Sequence, residues 1–236
     1  MFTQIAPRYD LLNHLLSLDL DRLWRKRTAH RLQPILQRQN AMVLDLCCGT
    51  GDLALALARV GPASIVGADF SHAMLVRARA KSAKSQRVPS HAGLTVPQPM
   101  PFFEADALCL PFADRSFDLI TTAFGFRNLA NYEAGLCEMP RILKPGGTVA
   151  ILEFTEPPEG FPGDVCRWYL KRVLPRIGGF ISGDSAAYTY LPKSVSRFFR
   201  PPELATLMAE VGYNSVEFKV WTFGTVALHT AVRPAR

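Results

Sequence analysis

The chain of 236 residues is long enough for one large domain or a domain with an extension, and 48% apolar residues are enough for a sizeable core. The apolar runs fall short of the roughly 18 residues of a membrane-spanning helix, and the N-terminus lacks a signal-peptide pattern, so we expect neither a membrane-spanning helix nor a signal peptide. Five cysteines without Cys-x-x-Cys spacing indicate a reduced, cytosolic setting, and five scattered histidines predict no metal site. The formal net charge of +7 leaves three interpretations: a solvated basic face, a nucleic-acid partner or an anionic membrane surface.

Apolar periodicity predicts an alternation of strands and helices after a helical start. Residues 8–38 have the helical pattern, with an interruption near Asp19 and Asp21. Strands are then predicted near 41–46, 63–68, 101–105, 117–123, 147–154, 214–221 and 225–232, and helices at 52–60, 71–83, 131–143 and 203–211. The proline-rich segment 84–101 is predicted to be a long surface loop, and 157–185 is predicted to form helix and loop outside the sheet. This order is typical of a mostly parallel sheet with helices on both faces.

The most informative stretch comes directly after the first predicted strand, where a Gly-x-Gly turn leads into a helix. Glycine lets the backbone turn sharply and approach a ligand, and the helix points unpaired N–H groups at the same place. The second predicted strand ends in Asp69, 20 residues after Gly49, where nucleotide-binding α/β units place the acid that binds ribose. The pattern therefore predicts a nucleoside-containing cofactor held by Gly49, Thr50, Gly51 and Asp69.

The same turn leaves two kinds of cofactor open. Gly49-x-Gly51-x-x-Ala54 also fits the dinucleotide fingerprint, so an NAD-type ligand is one of them. Two carboxylates, Asp45 and Asp52, flank the place where phosphates would lie, and their repulsion disfavours a pyrophosphate. A cationic sulfonium and an ammonium group would be attracted instead. The residues thus favour S-adenosylmethionine (SAM), with Asp45 as a further cofactor-binding residue.

Longer segments resemble one family. The block 9–17 with Trp24-Arg25, the segment Phe124-Gly125-Phe126-Arg127-Asn128, and residues 141–147 with 151–154 are similar to signatures of the ubiquinone/menaquinone biosynthesis C-methyltransferase (UbiE/MenG) family, which are class I SAM-dependent enzymes. Residues 190–195, Phe198 and 222–224 also match, so the resemblance covers the chain except 84–101. Ala123 stands where members often carry serine, which removes a hydroxyl contact to the amino-acid end of the cofactor.

The resemblance implies a Rossmann-like α/β fold, with a seven-stranded, mostly parallel sheet and helices on both faces. It implies an N-terminal helical extension and a helical insert before the last two strands. The whole chain, 1–236, is then a single methyltransferase domain. Its parts are a helical cap (1–40), a SAM-binding core (41–154), a substrate-covering insert (155–200) and a C-terminal helix with a strand pair (201–236).

The resemblance also implies methyl transfer to a ring carbon of a polyprenyl quinol, either demethylmenaquinol or the methoxy-benzoquinol intermediate of ubiquinone. The carbon becomes nucleophilic when the neighbouring hydroxyl loses its proton, so the site must stabilise a phenolate or accept that proton. Arg127 is the first candidate to stabilise the phenolate, and pairing with a surface carboxylate is its alternative role. Asn128 is predicted to orient a ring oxygen or the cofactor carboxylate, or to form a turn. His14 and Tyr190 are candidates for the base or for ring contacts, with packing as the alternative.

The remaining cofactor residues are assigned around the adenine. Phe70 or Met74 is predicted to cover the ring, although an apolar residue there also suits the core. By resemblance, Asp106 and Ala107 meet the adenine edge, and Phe124 belongs to the cofactor-binding set.

The substrate class predicts a membrane partner, because a polyprenyl quinol resides in the bilayer. We expect a cytoplasmic protein that visits the inner face of the membrane as a transient peripheral contact. Residues 161–177 combine Trp168 and Tyr169 with four basic residues, which suits an interfacial helix, and a helix packed over the substrate pocket is the alternative.

The segment after the fourth predicted strand bears on other substrates and partners. Enzymes that methylate nucleic-acid amines resemble one another there in an Asn/Asp-Pro-Pro-aromatic motif, whereas this chain has Phe124-Gly125-Phe126-Arg127. The sequence therefore disfavours RNA, and another small aromatic molecule is the second interpretation of the substrate. Association into a homodimer is left open.

Overall fold

The computed structural model describes residues 17–85, 100–169, 172 and 194–235, which build a seven-stranded sheet. The strands are β1 (Met42–Leu46), β2 (Ser64–Asp69), β3 (Phe102–Glu104), β4 (Phe117–Ala123), β5 (Leu143–Phe154), β6 (Asn214–Trp221) and β7 (Val226–Val232). Their order across the sheet is β3-β2-β1-β4-β5-β7-β6. The pairs β3–β2, β2–β1, β1–β4 and β4–β5 are parallel, and β7 is antiparallel to its two neighbours, β5 and β6. The predicted seven-stranded, mostly parallel sheet is confirmed.

Helices lie on both faces of this sheet, as predicted. They are α1 (Leu20–Arg31), α2 (Gln33–Leu36), α3 (Asp52–Ala58), α4 (His72–Ser85), α5 (Tyr132–Ile142), α6 (Gly163–Trp168) and α7 (Pro201–Glu210), with 3₁₀ turns at Phe126–Asn128 and Thr222–Gly224. None of the helices in the described part of the chain is long and apolar enough to cross a bilayer.

The core has two halves because side chains of the central strands alternate between the faces. Val43 belongs to a cluster that includes Leu57 of α3, whereas its neighbour Leu44 belongs to a second cluster with Met139 of α5 and Leu204 of α7. All five side chains are essentially inaccessible to solvent. A strand covered on both faces needs apolar residues at successive positions, which explains the unbroken apolar runs in the sequence.

Several boundaries differ from the sequence prediction. Leu18 and Asp19 have positive φ, so the interruption falls just before α1, while Asp21 lies buried inside that helix. The helix predicted at 131–143 is observed as α5, and Pro140 lies inside it. The strand expected from 147 begins directly after the helix, at Leu143.

Other predictions fall on residues that the structure does not describe. These are residues 8–16 of the predicted N-terminal helix, most of the 84–101 segment and most of the 157–185 segment. Within the last of these, α6 is described and lies outside the sheet.

The topology brings the carboxyl ends of β1, β2 and β4 together, because these strands are parallel neighbours in the middle of the sheet. In open α/β sheets, ligands bind at this edge, where the order of strands reverses. The glycine turn follows β1, Asp69 closes β2, and Phe124 follows β4.

Candidate active site

A cavity of about 760 Å³ opens at the carboxyl ends of these strands. Its volume is typical of sites for ligands of nucleoside size. The walls contain most of the residues predicted from sequence to bind the cofactor or substrate, namely Asp45, Gly49, Thr50, Asp69, Phe70, Met74, Asp106, Ala107, Phe124 and Asn128. Gly51 and Arg127 lie outside the lining. His14 and Tyr190 are outside the described residues.

The glycine turn presents backbone to the cavity. Gly49 has φ of 55°, and a Cβ added there would meet no atom within 4 Å, so the space beside it belongs to the cavity. Gly51 has φ of 83° and precedes α3, but a Cβ on it would lie 3.3 Å from Cβ of Ala78. Gly49 therefore leaves room for a ligand, whereas Gly51 leaves room for α4.

Two carboxylates hold the backbone of this turn. Asp69 Oδ2 accepts a hydrogen bond from the Gly49 amide at 2.8 Å, and its Oδ1 accepts one from the Ser71 amide at 2.8 Å. Asp45 Oδ2 accepts from the Ala54 amide at 2.9 Å, in the first turn of α3. These bonds connect the ends of β1 and β2 to the loop and helix that follow β1.

Burial raises the pKa of both carboxyl groups, Asp45 and Asp69. Asp45 is fully buried and its Oδ1 accepts from the Thr121 hydroxyl at 2.9 Å, yet desolvation raises its pKa to about 7. Desolvation also raises the pKa of Asp69. Positive charge placed in the cavity would favour the ionised form of each carboxyl group.

Asp52 does not flank the cavity as a free charge. Lys81 Nζ lies 2.6 Å from Asp52 Oδ1 and donates to the Thr50 hydroxyl oxygen at 2.8 Å. Because Lys81 neutralises it, Asp52 does not supply the repulsion of phosphate that the sequence argument assigned to it. Lys81, on α4 and 29 residues from Asp52, was not identified from sequence.

An aromatic wall closes one side of the cavity. The Phe124 ring lies 4.5 Å from the Phe154 ring and 5.9 Å from the Trp24 ring, centroid to centroid. Trp24 is fixed by a 2.8 Å hydrogen bond from its Nε1 to the Thr222 hydroxyl oxygen. The guanidinium of Arg25 lies over Phe124, with its Cζ 5.3 Å from the ring centroid, and lines the cavity. Arg25 was absent from the predicted site, although Trp24-Arg25 is part of the N-terminal signature.

Arg127 lies behind this wall, in a buried ion pair. Its Nη1 is 2.5 Å from Glu153 Oε1 and also donates to the Phe124 carbonyl oxygen. The side chains of Arg127 and Glu153 are 7% and 1% exposed, so the partner is a core acid of β5 rather than the surface carboxylate considered from sequence. The Arg127 amide donates to Glu153 Oε2 at 3.2 Å, which holds the 3₁₀ turn that carries Asn128. An acid in the apolar run Ile151-Leu152-Glu153-Phe154 was the signal that could have identified this pair.

The predicted adenine residues occupy one end of the cavity. Met74 is buried in its lining, whereas Phe70 is 77% exposed at the rim. Asp106 Oδ1 accepts from the Leu108 amide at 2.9 Å. His72 and Glu104, which sequence reasoning missed, form a 3.0 Å contact at the same rim.

Solved structures with a similar fold include two that are named SAM-dependent methyltransferases and the [4+2]-cyclase SpnF. One from Thermotoga maritima has a TM-score of 0.63 and 18% identity and matches 99% of this chain and 100% of its own. One from Aquifex aeolicus has a TM-score of 0.59 and 17% identity, with 87% and 89% coverage. At such identities the likeness concerns the fold alone.

Relatives at higher identity carry enzyme names. A demethylmenaquinone methyltransferase from Thermus thermophilus is 49% identical over 99% of this chain and 100% of its own. A demethylmenaquinone methyltransferase from Deinococcus radiodurans is 46% identical, with 97% and 89% coverage. The ubiquinone/menaquinone biosynthesis C-methyltransferase UbiE of Geobacter sulfurreducens is 42% identical, with 98% and 86% coverage. The model of the ubiE/COQ5 methyltransferase family matches residues 1–233, and with these relatives it shows that the chain belongs to this family of SAM-dependent methyltransferases.

Proposed function

We propose that the chain transfers the methyl group of SAM to a ring carbon of a polyprenyl quinol in quinone biosynthesis, with demethylmenaquinol as the first candidate substrate. The observation that carries the proposal is the cavity at the β1, β2 and β4 ends, in a chain similar to demethylmenaquinone methyltransferases over nearly its whole length. Assays of methyl transfer to demethylmenaquinol and to the methoxy-benzoquinol test the proposal and choose between the two rings. Absence of transfer to either would contradict it.

The residues of the cavity fit SAM. The open space at Gly49 admits the methionine part, beside the backbone of Thr50. Each Asp69 oxygen accepts one backbone amide, and a carboxylate oxygen has a second acceptor position for a ribose hydroxyl. We assign Phe70, Met74, Asp106 and Ala107 to the adenine.

The cavity contains both acidic and basic side chains, which suits a ligand that carries both positive and negative groups. Bound SAM supplies an electrophilic methyl group on a cationic sulfur. The carboxyl groups of Asp45 and Asp69 favour positive charge near the glycine turn. Arg25 over Phe124 is paired with Asp21 through Nη1, so its remaining N–H groups are the ones proposed to bind a carboxylate or a phenolate. The main work of the protein is then to hold the two reactants in line and to exclude water.

We assign Arg127 a positioning role. Its guanidinium pairs with Glu153 behind the aromatic wall and holds Phe124 and Asn128 at the cavity edge. Asn128 lines the cavity and is proposed to orient the ring oxygen or the cofactor carboxylate. His14 and Tyr190 remain candidates for the proton acceptor on the sequence argument alone.

Membrane contact is proposed through the segment of α6. Phe161, Val165 and Trp168 are 87%, 50% and 62% exposed, which suits insertion between lipid headgroups. Arg167, predicted to contact lipid, instead donates to the carbonyl oxygens of Pro157 and Pro158 and pairs with Asp164. The apolar side chains of this segment are therefore the better test of the contact.

Replacing Asp69 by alanine is expected to weaken SAM binding by about 1–3 kcal/mol, the cost of a lost charge-assisted hydrogen bond. Isothermal titration calorimetry measures the change. Asp69→Asn separates two effects, because an amide oxygen can still accept from Gly49 while the charge is lost. Glu159→Ala, at an exposed acid outside the cavity, is the matched control. Unchanged affinity in Asp69→Ala would reject the ribose assignment.

SAM affinity is expected to rise as the pH increases from about 6 to 7.5, by at most about tenfold per pH unit. The Asp45 pKa is about 7 in the free protein, and a cationic ligand lowers it, so binding below that pH releases a proton. Calorimetry in buffers of different ionisation enthalpy counts the released protons. Asp45→Asn should reduce the slope, and S-adenosylhomocysteine, which lacks the sulfonium charge, should show a smaller slope with the wild type. Equal slopes for wild type and Asp45→Asn would show that Asp45 does not sense the ligand.

Arg127→Met is expected to destabilise the fold by about 3–5 kcal/mol, because it leaves the Glu153 charge buried without a partner. Replacing both residues, as Arg127→Met/Glu153→Leu, should cost less than the single change. Urea unfolding measures both. For function, the double variant should lose turnover more than SAM affinity, since it disturbs Phe124 and Asn128 at the cavity edge and leaves the hydrogen bonds of Asp45 and Asp69 in place. Wild-type turnover in the double variant would reject the positioning role.

Phe161→Ser/Trp168→Ser is expected to reduce binding to anionic liposomes while leaving turnover on a short-chain quinol largely intact. The reason is that the two rings supply the apolar area that enters the interface. Sedimentation with liposomes measures binding, and Phe103→Ser, at a half-exposed ring far along the sheet, is the control. Equal binding by parent and double variant would exclude this segment as the contact.

A further inference from the structure

A second cavity, of about 820 Å³, adjoins the first between α1, α3 and α4. We call it the basic groove, because its polar lining is dominated by Arg22, Arg25, Lys26, Arg59 and Lys81. Arg25 and Asp52 line both cavities, so the basic groove is continuous with the candidate active site. The proposed methyl transfer uses Arg25 among these cations, and Lys81 pairs with Asp52 beside the glycine turn, which leaves Arg22, Lys26 and Arg59 without a role in it.

Acidic residues near the basic groove neutralise part of its positive charge. Asp52 in its lining is paired with Lys81. Asp21, from the buried side of α1, pairs with Arg25, and Asp19 lies 3.4 Å from Arg22 with both side chains 65% exposed. Lys26 and Arg59 form no ion pair or hydrogen bond with the described residues. They leave an excess of two positive charges on facing walls.

The floor between these charges is apolar. Ala29 of α1 and Leu55 of α3 are buried below it, with Ala56 and Val60 beside them. An apolar floor lowers the local dielectric constant, so charges in a groove act on a ligand more strongly than the same charges on a convex surface.

We propose that the basic groove is a binding site for a phosphate group. Convergent lysine and arginine side chains suit this ligand, because phosphate carries more than one negative charge and guanidinium groups bind its oxygens in a planar fork. The site adjoins the proposed cofactor and quinol positions, with which it shares Arg25 and Asp52, and it stands whether or not the chain methylates a quinol. Its phosphate comes either from a soluble phosphate compound or from a phospholipid headgroup.

Calorimetric titration with inorganic pyrophosphate, at ionic strength kept constant with sodium chloride, tests the site. Lys26→Gln/Arg59→Gln should weaken binding by about tenfold or more, since it removes the two unpaired cations. The matched control is Arg197→Gln/Lys219→Gln, which removes one arginine and one lysine from exposed positions elsewhere. Equal weakening in both double variants would show only a general charge effect and would overturn the proposal, as would the absence of pyrophosphate binding by the parent chain.

A vesicle experiment separates the two sources of phosphate. It uses Phe161→Ser/Trp168→Ser as the background, so that α6 does not contribute, and compares phosphatidylglycerol with phosphatidylcholine vesicles. Binding to the anionic vesicles that pyrophosphate displaces, and that Lys26→Gln/Arg59→Gln abolishes, supports a headgroup. Pyrophosphate binding without vesicle binding supports a soluble phosphate compound. Vesicle binding that pyrophosphate leaves unchanged, in a chain that does not bind pyrophosphate, contradicts the site.

Discussion

The candidate active site depends on the capture of backbone amides by two buried carboxylates. Asp45 binds the amide of Ala54, and Asp69 binds the amides of Gly49 and Ser71. Both acids stand at the ends of parallel neighbours, so the regular spacing of the strands sets the distance between them. The glycine turn and the helix that follows it are therefore held by Asp45 of β1 and Asp69 of β2. The exposed backbone of the turn keeps one shape without help from a ligand.

This arrangement makes the same groups serve folding and recognition. A buried carboxylate is costly unless it accepts hydrogen bonds, and the amides at the start of a helix lack partners within that helix. A hydrogen bond from a backbone amide to a buried carboxylate satisfies both groups, and Asp69 keeps further acceptor positions for a ligand. Desolvation nevertheless remains the largest influence on each acid, since it raises the pKa of Asp45 and Asp69 despite those bonds. The site thus carries a preference for positive charge that originates in the core of the sheet.

Local pattern predicted the sheet, the glycine turn and part of the cavity lining, because strand ends and glycine turns are encoded by neighbouring residues. Partners that meet across the fold were not predictable in this way. Arg127 and Glu153 are 26 residues apart, Lys81 and Asp52 are 29 apart, and Trp24 and Thr222 are 198 apart. The sign of a charge can be seen in the sequence, but its neutralisation depends on packing. This is why the sequence led us to treat Asp52 as an unpaired acid and Arg127 as a residue that contacts the substrate.

The position of β7 has a consequence for the order of events during synthesis. This strand forms between β5 and β6, and the hairpin that contains it also supplies Thr222 to Trp24. Until residues 222–232 are in place, the twelve-residue β5 has an unpaired edge, and Trp24 lacks its hydrogen-bond partner. An exposed strand edge can pair with another chain, and contacts between distant parts of the sequence form late. Before β7 pairs with β5, this edge is therefore the place where a newly made chain is exposed to pairing with another chain.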